Sequence, residues 1–320
     1  MVNHSVKRLS GNTLPPRFAD LPDPPPEAWL VGSLPRLPAV GIVGTRHPTA
    51  DGERFAFELA HALSAAGAVV LSGGALGIDA AAHRGALAAG GLSVVVAPAG
   101  FYSPYPEQNS GLFTEVVAAG GGYLSLAPAY ERAHLASFFR RNAILACLCD
   151  VLVLVQAPFR SGARNAAAAA RKLGRPLLVV PSAPWEAKGR GCIAELRLGG
   201  EAIDSSAQVI RSLVARGAAL IPHQSWAARE EAPRRGSGAV GCAGERESTW
   251  RAPDQLELPT VASLTVQTRA VLGAVAAGAR SVDQICETTG LSARAVHMAL
   301  LELELEGVVG RGPEGVTQAG

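Results

Sequence analysis

Signatures of several protein classes are missing from this chain. No apolar run approaches the roughly 18 to 20 residues of a membrane span. The first ten residues carry Lys7 and Arg8 but no apolar segment of the secretory kind. The five cysteines (147, 149, 192, 242 and 286) are odd in number and contain no Cys-x2-Cys pair, which argues against a disulfide framework or a structural zinc. Buried thiols in a reducing cytoplasm are the expectation. Charged residues make up 18% with a formal net charge of +2, so the chain is no polycation, and any anionic partner must meet a local patch. Aromatics, at 5%, limit stacking surfaces to a few positions. Asp79, Glu115, Asp150 and His83 are scattered, with no acid–base pair, nucleophile triad or metal cluster among them. The expectation is a binding protein rather than an enzyme, with no cofactor and no membrane.

What the chain has is alternation. Apolar residues are 48% of 320, enough for one sizeable domain and a smaller one. Strands are predicted at 40–44, 68–72, 92–97, 122–126, 151–155 and 177–181. Helical stretches lie near 52–66, 79–90, 109–119, 136–148, 163–173 and 191–199. That order implies right-handed βαβ units and a doubly wound, mainly parallel α/β sheet over 39–210. Residues 1–38 are proline-rich and read as an extended arm. Residues 211–263 break the pattern and read as a linker. In 264–320, Ser281 and Ser292 mark helix starts, Gly290 and Gly307 mark ends, and Val296, Leu300 and Leu303 share a face. Three helices and a closing hairpin resemble a winged helix. This segment carries four Arg against six Asp or Glu, a net of −2.

Two strand ends are built alike. Val40-Gly41-Ile42-Val43 runs into Gly44-Thr45-Arg46, and Val69-Val70-Leu71 runs into Ser72-Gly73-Gly74-Ala75-Leu76-Gly77-Ile78-Asp79, with His83 one turn later. A glycine turn before a helix admits an anion and offers N–H groups to it. Together these ends predict a phosphate-binding crevice at the carboxyl edge of the sheet. Arg46 reads equally as a phosphate fork or a structural ion pair. The glycines read as a phosphate loop or as room for close helix packing. Asp79 reads as a helix cap, and His83 as core more readily than catalyst. Arg160-Ser161-Gly162 repeats the turn before an alanine-rich helix, where an ordinary N-cap is the blander account. Segment 160–197 holds Arg160, Arg164, Arg171, Lys172, Arg175, Lys188, Arg190 and Arg197 against Glu186 and Glu195, a local +6 that could track a polyanion. Phe101, Tyr102 and Tyr105 could stack on bases. Arg140, Arg141 and Asn142 lie near a helix start, an unfavourable place for cations unless they face a ligand or a carboxylate.

Taken in order, these motifs resemble the DprA/Smf family of DNA-processing proteins. The matching pieces are Asp23-Pro24-Pro25, Leu30-Val31-Gly32, Gly41 to Arg46, Ser72-Gly73 through Asp79 with Ala82-His83, Tyr105-Pro106, Arg141-Asn142, Ser161-Gly162 and Gly174-Arg175. They span about 20–205, and the final segment looks like the family's winged helix. The resemblance implies an extended Rossmann-like domain that binds single-stranded DNA. It also implies protection of incoming strands and loading of the RecA recombinase in natural transformation, by a homodimer. Arg46, residues 72–79, Arg141, Asn142, Ser161 and Gly162 would line the pocket. The chain departs from the family where Leu76 and Ala143 replace arginines and Leu126 a glutamate. Ala163, Ala166 and Ile193 stand where serine, threonine and asparagine are usual. The rival reading is a nucleotide-binding or nucleotide-hydrolysing protein of the lysine-decarboxylase-like (LOG) group. A weaker one is a transcription regulator, which the acidic winged helix disfavours.

Overall fold

The computed structural model describes residues 5–36, 38–220, 266–305, 309–312 and 315–318. The chain divides into two compact units, 1–231 and 232–320. In the first, nine strands form one sheet: β1 (Lys7–Ser10), β2 (Glu27–Gly32), β3 (Ala39–Val43), β4 (Val69–Ser72), β5 (Ser93–Ala97), β6 (Gly122–Ser125), β7 (Val151–Leu154), β8 (Leu177–Val179) and β9 (Glu201–Ala202), in the order β1-β2-β6-β5-β4-β3-β7-β8-β9. From β6 to β9 every pairing is parallel. Six of these strands are the six predicted from apolar runs. Their β-branched residues suit a sheet buried on both faces.

Helices α1 (Ala50–Ala65), α2 (Ile78–Ala88), α3 (Ser110–Ala118), α4 (Leu135–Leu148), α5 (Ala163–Lys172), α6 (Arg190–Arg197) and α7 (Ser206–Val214) cover the two faces. Alternation along β5 shows the layering. Val94 and Val96 join the core under α4, α5 and α6, while Val95 and Ala97 join the one under α3. Val40, Ile42, Val70 and Val153 pack beneath α1, α2 and α7. The chain winds outward from β3 through β6, then crosses back to place β7 on the other side of β3. Loops leaving β3 and β7 therefore diverge at the switch point, where α/β sheets open a crevice.

The proline-rich beginning differs from the expected arm. It is extended, but β1 pairs antiparallel with β2, and β2 antiparallel with β6. The turn between them is tied to the residues that lead into β7 and β8. Arg17 is paired with Asp150 and donates to the Leu148 carbonyl at 3.0 Å, while Arg175 reaches Asp20 at 2.6 Å. The thiols of Cys147, Cys149 and Cys192 are buried, and burial pushes them up to about 11, 12 and 11. Cys242 lies outside the described residues, as does the linker expectation beyond residue 220. Within 211–220, α7 continues to Val214 with Leu213 fully buried.

In the second unit, α8 (Val266–Ala276), α9 (Val282–Thr289) and α10 (Ala293–Leu305) precede a hairpin of β10 (Val309–Gly312) and β11 (Gly315–Gln318). Ser281 caps α9 by accepting from the Gln284 N–H, and Gly290 closes it at φ +68°. Val296, Leu300 and Leu303 lie in one core with Val271, Ile285 and Val316. This is the winged-helix arrangement.

His83 belongs to the core and not to a ligand surface. Its ring is fully buried on α2, with Nδ1 2.7 Å from Ser93 Oγ, whose hydroxyl donates to the Val70 carbonyl. Desolvation, with the nearby Arg141 and Arg84 charges, lowers its pKa from 6.5 to about 3. The folded protein therefore keeps this imidazole neutral while the unfolded chain protonates it below about pH 6.5. Its contribution to stability is full above that value and is lost as pH falls toward 3. By about pH 4.5 the loss reaches roughly 2 to 3 kcal/mol. Urea unfolding across pH 4 to 7 is expected to show this slope, and His83→Gln to flatten it. An unchanged slope in the variant removes the assignment.

Candidate functional site

The crevice is built around one carboxylate. Asp79 sits on the first turn of α2, almost fully buried, and accepts from the Gly73 N–H at 3.1 Å and the Ala75 N–H at 3.4 Å. The Arg141 guanidinium from α4 lies 3.8 Å away. Asp79 thus holds the glycine turn and a cation; it does not cap its own helix, whose cap position is Gly77. Burial pushes its carboxyl above the usual range, and Arg141 with the Gly44, Gly73 and Ala75 N–H groups pulls against that. Arg141 is itself drawn down by burial and by the neighbouring Arg46, with Asp79 opposing. Guanidinium keeps its charge at all accessible pH, so this is an ion pair in a site of surplus positive charge.

The glycines explain how that pair fits. A Cβ on Gly73 would overlap Arg141 Nη1, so the missing side chain makes room for the guanidinium. Gly77, at φ +73°, would collide with the Thr45 and Arg46 carbonyls at 2.6 and 2.7 Å. The turn therefore presses against the β3 loop, and two of its N–H groups are given to Asp79. In the expected phosphate loop, the Gly73 and Ala75 N–H groups are thus taken by Asp79, and Gly73 and Gly77 serve close packing and the placement of Arg141. Ser72 is likewise turned inward, donating to the Ile42 carbonyl at 2.6 Å.

Arg46 occupies the edge beside this pair. Its guanidinium carbon lies 5.7 Å from the ring centres of both Tyr105 and Phe138, and Nη1 reaches Tyr105 Oη at 3.5 Å. The two rings meet edge to face at 5.3 Å. Loop 44–49 is fixed from β7: the Thr45 N–H donates to the Gln156 carbonyl at 2.7 Å, and the Gln156 amide exchanges bonds with Thr49 at 2.9 and 3.2 Å. Asn109 holds the glycine turn from the other side through the Gly74 carbonyl at 2.9 Å. Sequence reasoning missed Gln156, Asn109 and the stacking role of Phe138. The only cue was their position just after strands or next to recognised motifs.

The other expected residues scatter. Asn142 donates to the Gly162 carbonyl at 3.2 Å and so ties α4 to the β7 loop. Ser161 accepts from the Ala163 N–H at 3.3 Å, one residue ahead of the cap position, which is Gly162. Arg140 and Arg160 are exposed, as is Arg190 at the start of α6. Lys188 donates to the Pro48 carbonyl at 3.4 Å, beside the β3 loop. The +6 segment does not form one face. Arg164 and Arg171 both pair with Glu195, which is 1% exposed, and Arg175 pairs with Asp20. Lys172 and Arg197 end helices that start at the crevice, so helix polarity carries them to the opposite edge. Phe101 packs on Tyr123 inside, and Tyr102 stacks on Tyr130 outside.

A cavity of about 330 Å³ adjoins the Gln156 bridge, lined among others by Asp51, Arg54 and Glu58. Arg54 is already paired with Asp51 at 2.7 Å, which leaves an acidic lining that repels phosphate. Among the described residues no group of three His, Cys, Asp or Glu is placed to hold a metal ion, and no helix is long and apolar enough to cross a membrane.

Comparison with known proteins follows this geometry. Residues 7–214 match the family model for DNA recombination-mediator protein A, and residues 255–315 match the DprA winged helix domain. Protein Smf of Synechocystis is 32% identical over 310 residues, covering 92% of this chain and 75% of its own. The solved DNA processing protein A of Helicobacter pylori, described for its single-stranded DNA binding mode, is 30% identical. It superposes with a TM-score of 0.60 over 67% of this chain and 98% of its own. The Streptococcus pneumoniae counterpart is 26% identical, with a TM-score of 0.59 over 67% and 74%.

The buried pair gives a direct expectation. Arg141→Leu strands the Asp79 carboxylate and should cost about 3 to 5 kcal/mol in urea unfolding. Asp79→Asn in that background should restore a good part of it. Additive losses in the double variant contradict the coupling.

Proposed function

The chain belongs to the DNA recombination-mediator protein A family, and we propose that it binds single-stranded DNA along the carboxyl edge of its sheet. The observation that carries this reading is Arg46, set against the paired Tyr105 and Phe138 rings beside a second guanidinium, Arg141, that has one carboxylate for company. Paired cations attract a phosphate backbone, and adjacent rings take unpaired bases of any sequence. Exposed Arg140, Arg160 and Arg190 extend the positive edge on both sides. The Helicobacter relative, whose single-stranded DNA binding mode has been described, superposes on 67% of this chain.

In this reading the protein covers strands entering the cytoplasm during natural transformation and hands them to RecA, working as a homodimer and without catalysis. The nucleotide-hydrolase alternative needs a phosphate-accepting glycine turn; here Gly73 and Ala75 give their N–H groups to Asp79. The winged helix, net −2 over 264–320, suits a protein contact better than a polyanion.

Fluorescence anisotropy with labelled oligonucleotides tests the reading. Single strands should bind more tightly than duplex, with affinity falling steeply as salt rises. Arg46→Ala should weaken binding by about tenfold or more, a charge-assisted contact of roughly 1.5 to 3 kcal/mol. Equal affinity for duplex, or a flat salt response, contradicts it.

Removing 264–320 should leave most of the affinity in place, because the cations lie in the first unit. A loss beyond about tenfold, roughly 1.4 kcal/mol, would move the DNA site to the winged helix.

A further inference from the structure

Two large rings are exposed at the loops leaving β7 and β8. Phe159 is 58% exposed, and Trp185, at the tip of a turn closed by the Glu186 N–H on the Ala183 carbonyl, is 85% exposed. Apolar surface of this size is disfavoured in water, and Phe159 is held in place despite it. The Arg164 guanidinium lies 5.0 Å from its ring centre and donates to the Phe159 carbonyl at 2.6 Å. That guanidinium is in turn anchored at 2.7 Å by Glu195, which is almost fully buried. One face of the ring is thus backed by a fixed cation, and the ring remains largely open. The two loops are joined by the Gly191 N–H on the Ala157 carbonyl at 2.7 Å. Arg160 and Arg190 are exposed on them, against Glu186 alone.

We propose that Phe159 and Trp185 form a second base-stacking subsite, which takes unpaired bases of a DNA strand that has already engaged Arg46. The inference rests on the function proposed above and extends it from one locus to a track. Strands in a sheet lie about 4.8 Å apart, so the path from the β5 loop to the β8 loop crosses about 19 Å. A strand of about 15 nucleotides reaches both ends of that path, and an abasic strand of the same length offers its phosphates without its bases. The guanidinium under Phe159 makes the platform stiff, so a base stacking there orders little that was mobile. Arg160 and Arg190 supply the phosphate contacts between stacked bases.

The experiment measures affinity of the full chain, at matched salt, for oligo-thymidine of about 15 nucleotides and for an abasic strand of the same length. Phe159→Ala and Trp185→Ala are each expected to lose about tenfold on the long thymidine strand, the value of one stacked base. Neither should change binding of the abasic one. Phe159→Trp and Trp185→Phe should keep the wild-type affinity. If both alanine variants bind the long strand like wild type while Arg46→Ala is weak, the subsite is refuted and the function stands. An equal loss on the abasic strand also refutes it, by assigning the residues to structure or charge. If wild type itself fails to bind the long strand, the function proposed above falls first.

Discussion

A carboxylate sealed from water must be answered by donors, and the geometry of this crevice follows from how Asp79 is answered. Two N–H groups of the glycine turn and one guanidinium from α4 converge on it. The turn, the carboxylate and the guanidinium come from different parts of the chain, so their convergence fixes the turn, the start of α2 and the middle of α4 against one another. Gly73 is glycine because Arg141 occupies the space a side chain would need. Without that arrangement Arg46 would have no second cation beside it, and Phe138, one turn before Arg141 on α4, would not be set opposite Tyr105. A buried pair of this kind adds little net stability over a well-packed apolar replacement. What it contributes is position.

The elements of the fold were legible in the sequence and the site only in part. Six parallel strands and their helices follow from β-branched runs separated by glycine turns and helix formers, and each was placed to within a few residues. The N-terminal hairpin was not legible, since prolines mark an extended backbone but do not say whether it pairs. Nor could sequence distinguish a glycine that admits a phosphate from one that admits an arginine, because both are a residue without a Cβ. His83 was read as core more readily than catalyst, but its full depth had no mark of its own: α2 is so rich in alanine that its buried face carries no large apolar stripe.

Charge was the least legible property. A run of cations in the sequence becomes a surface only when they point the same way, and α5 and α6 each traverse the full depth of the domain. Their first residues lie at the carboxyl edge of the sheet, and their last ones lie a helix length away. Glu195 then withdraws Arg164 and Arg171 by drawing both onto one buried carboxylate. A local +6 is thereby divided into two edges and an interior cluster. The part that remains at the crevice is smaller than the count implied, but it is flanked by rings.

Gln156 has a consequence for how any ligand arrives. In many doubly wound domains the diverging loops at the switch point leave a slot that swallows one end of a nucleotide. Here the Gln156 carbonyl binds the Thr45 N–H and its amide locks to Thr49, so the slot is stitched shut from within. A ligand of the proposed kind need not be threaded between these two loops by an end. A polymer can be laid across joined loops sideways, at any point along its length. A closed circle of single strand would then serve the proposed site as well as a linear one.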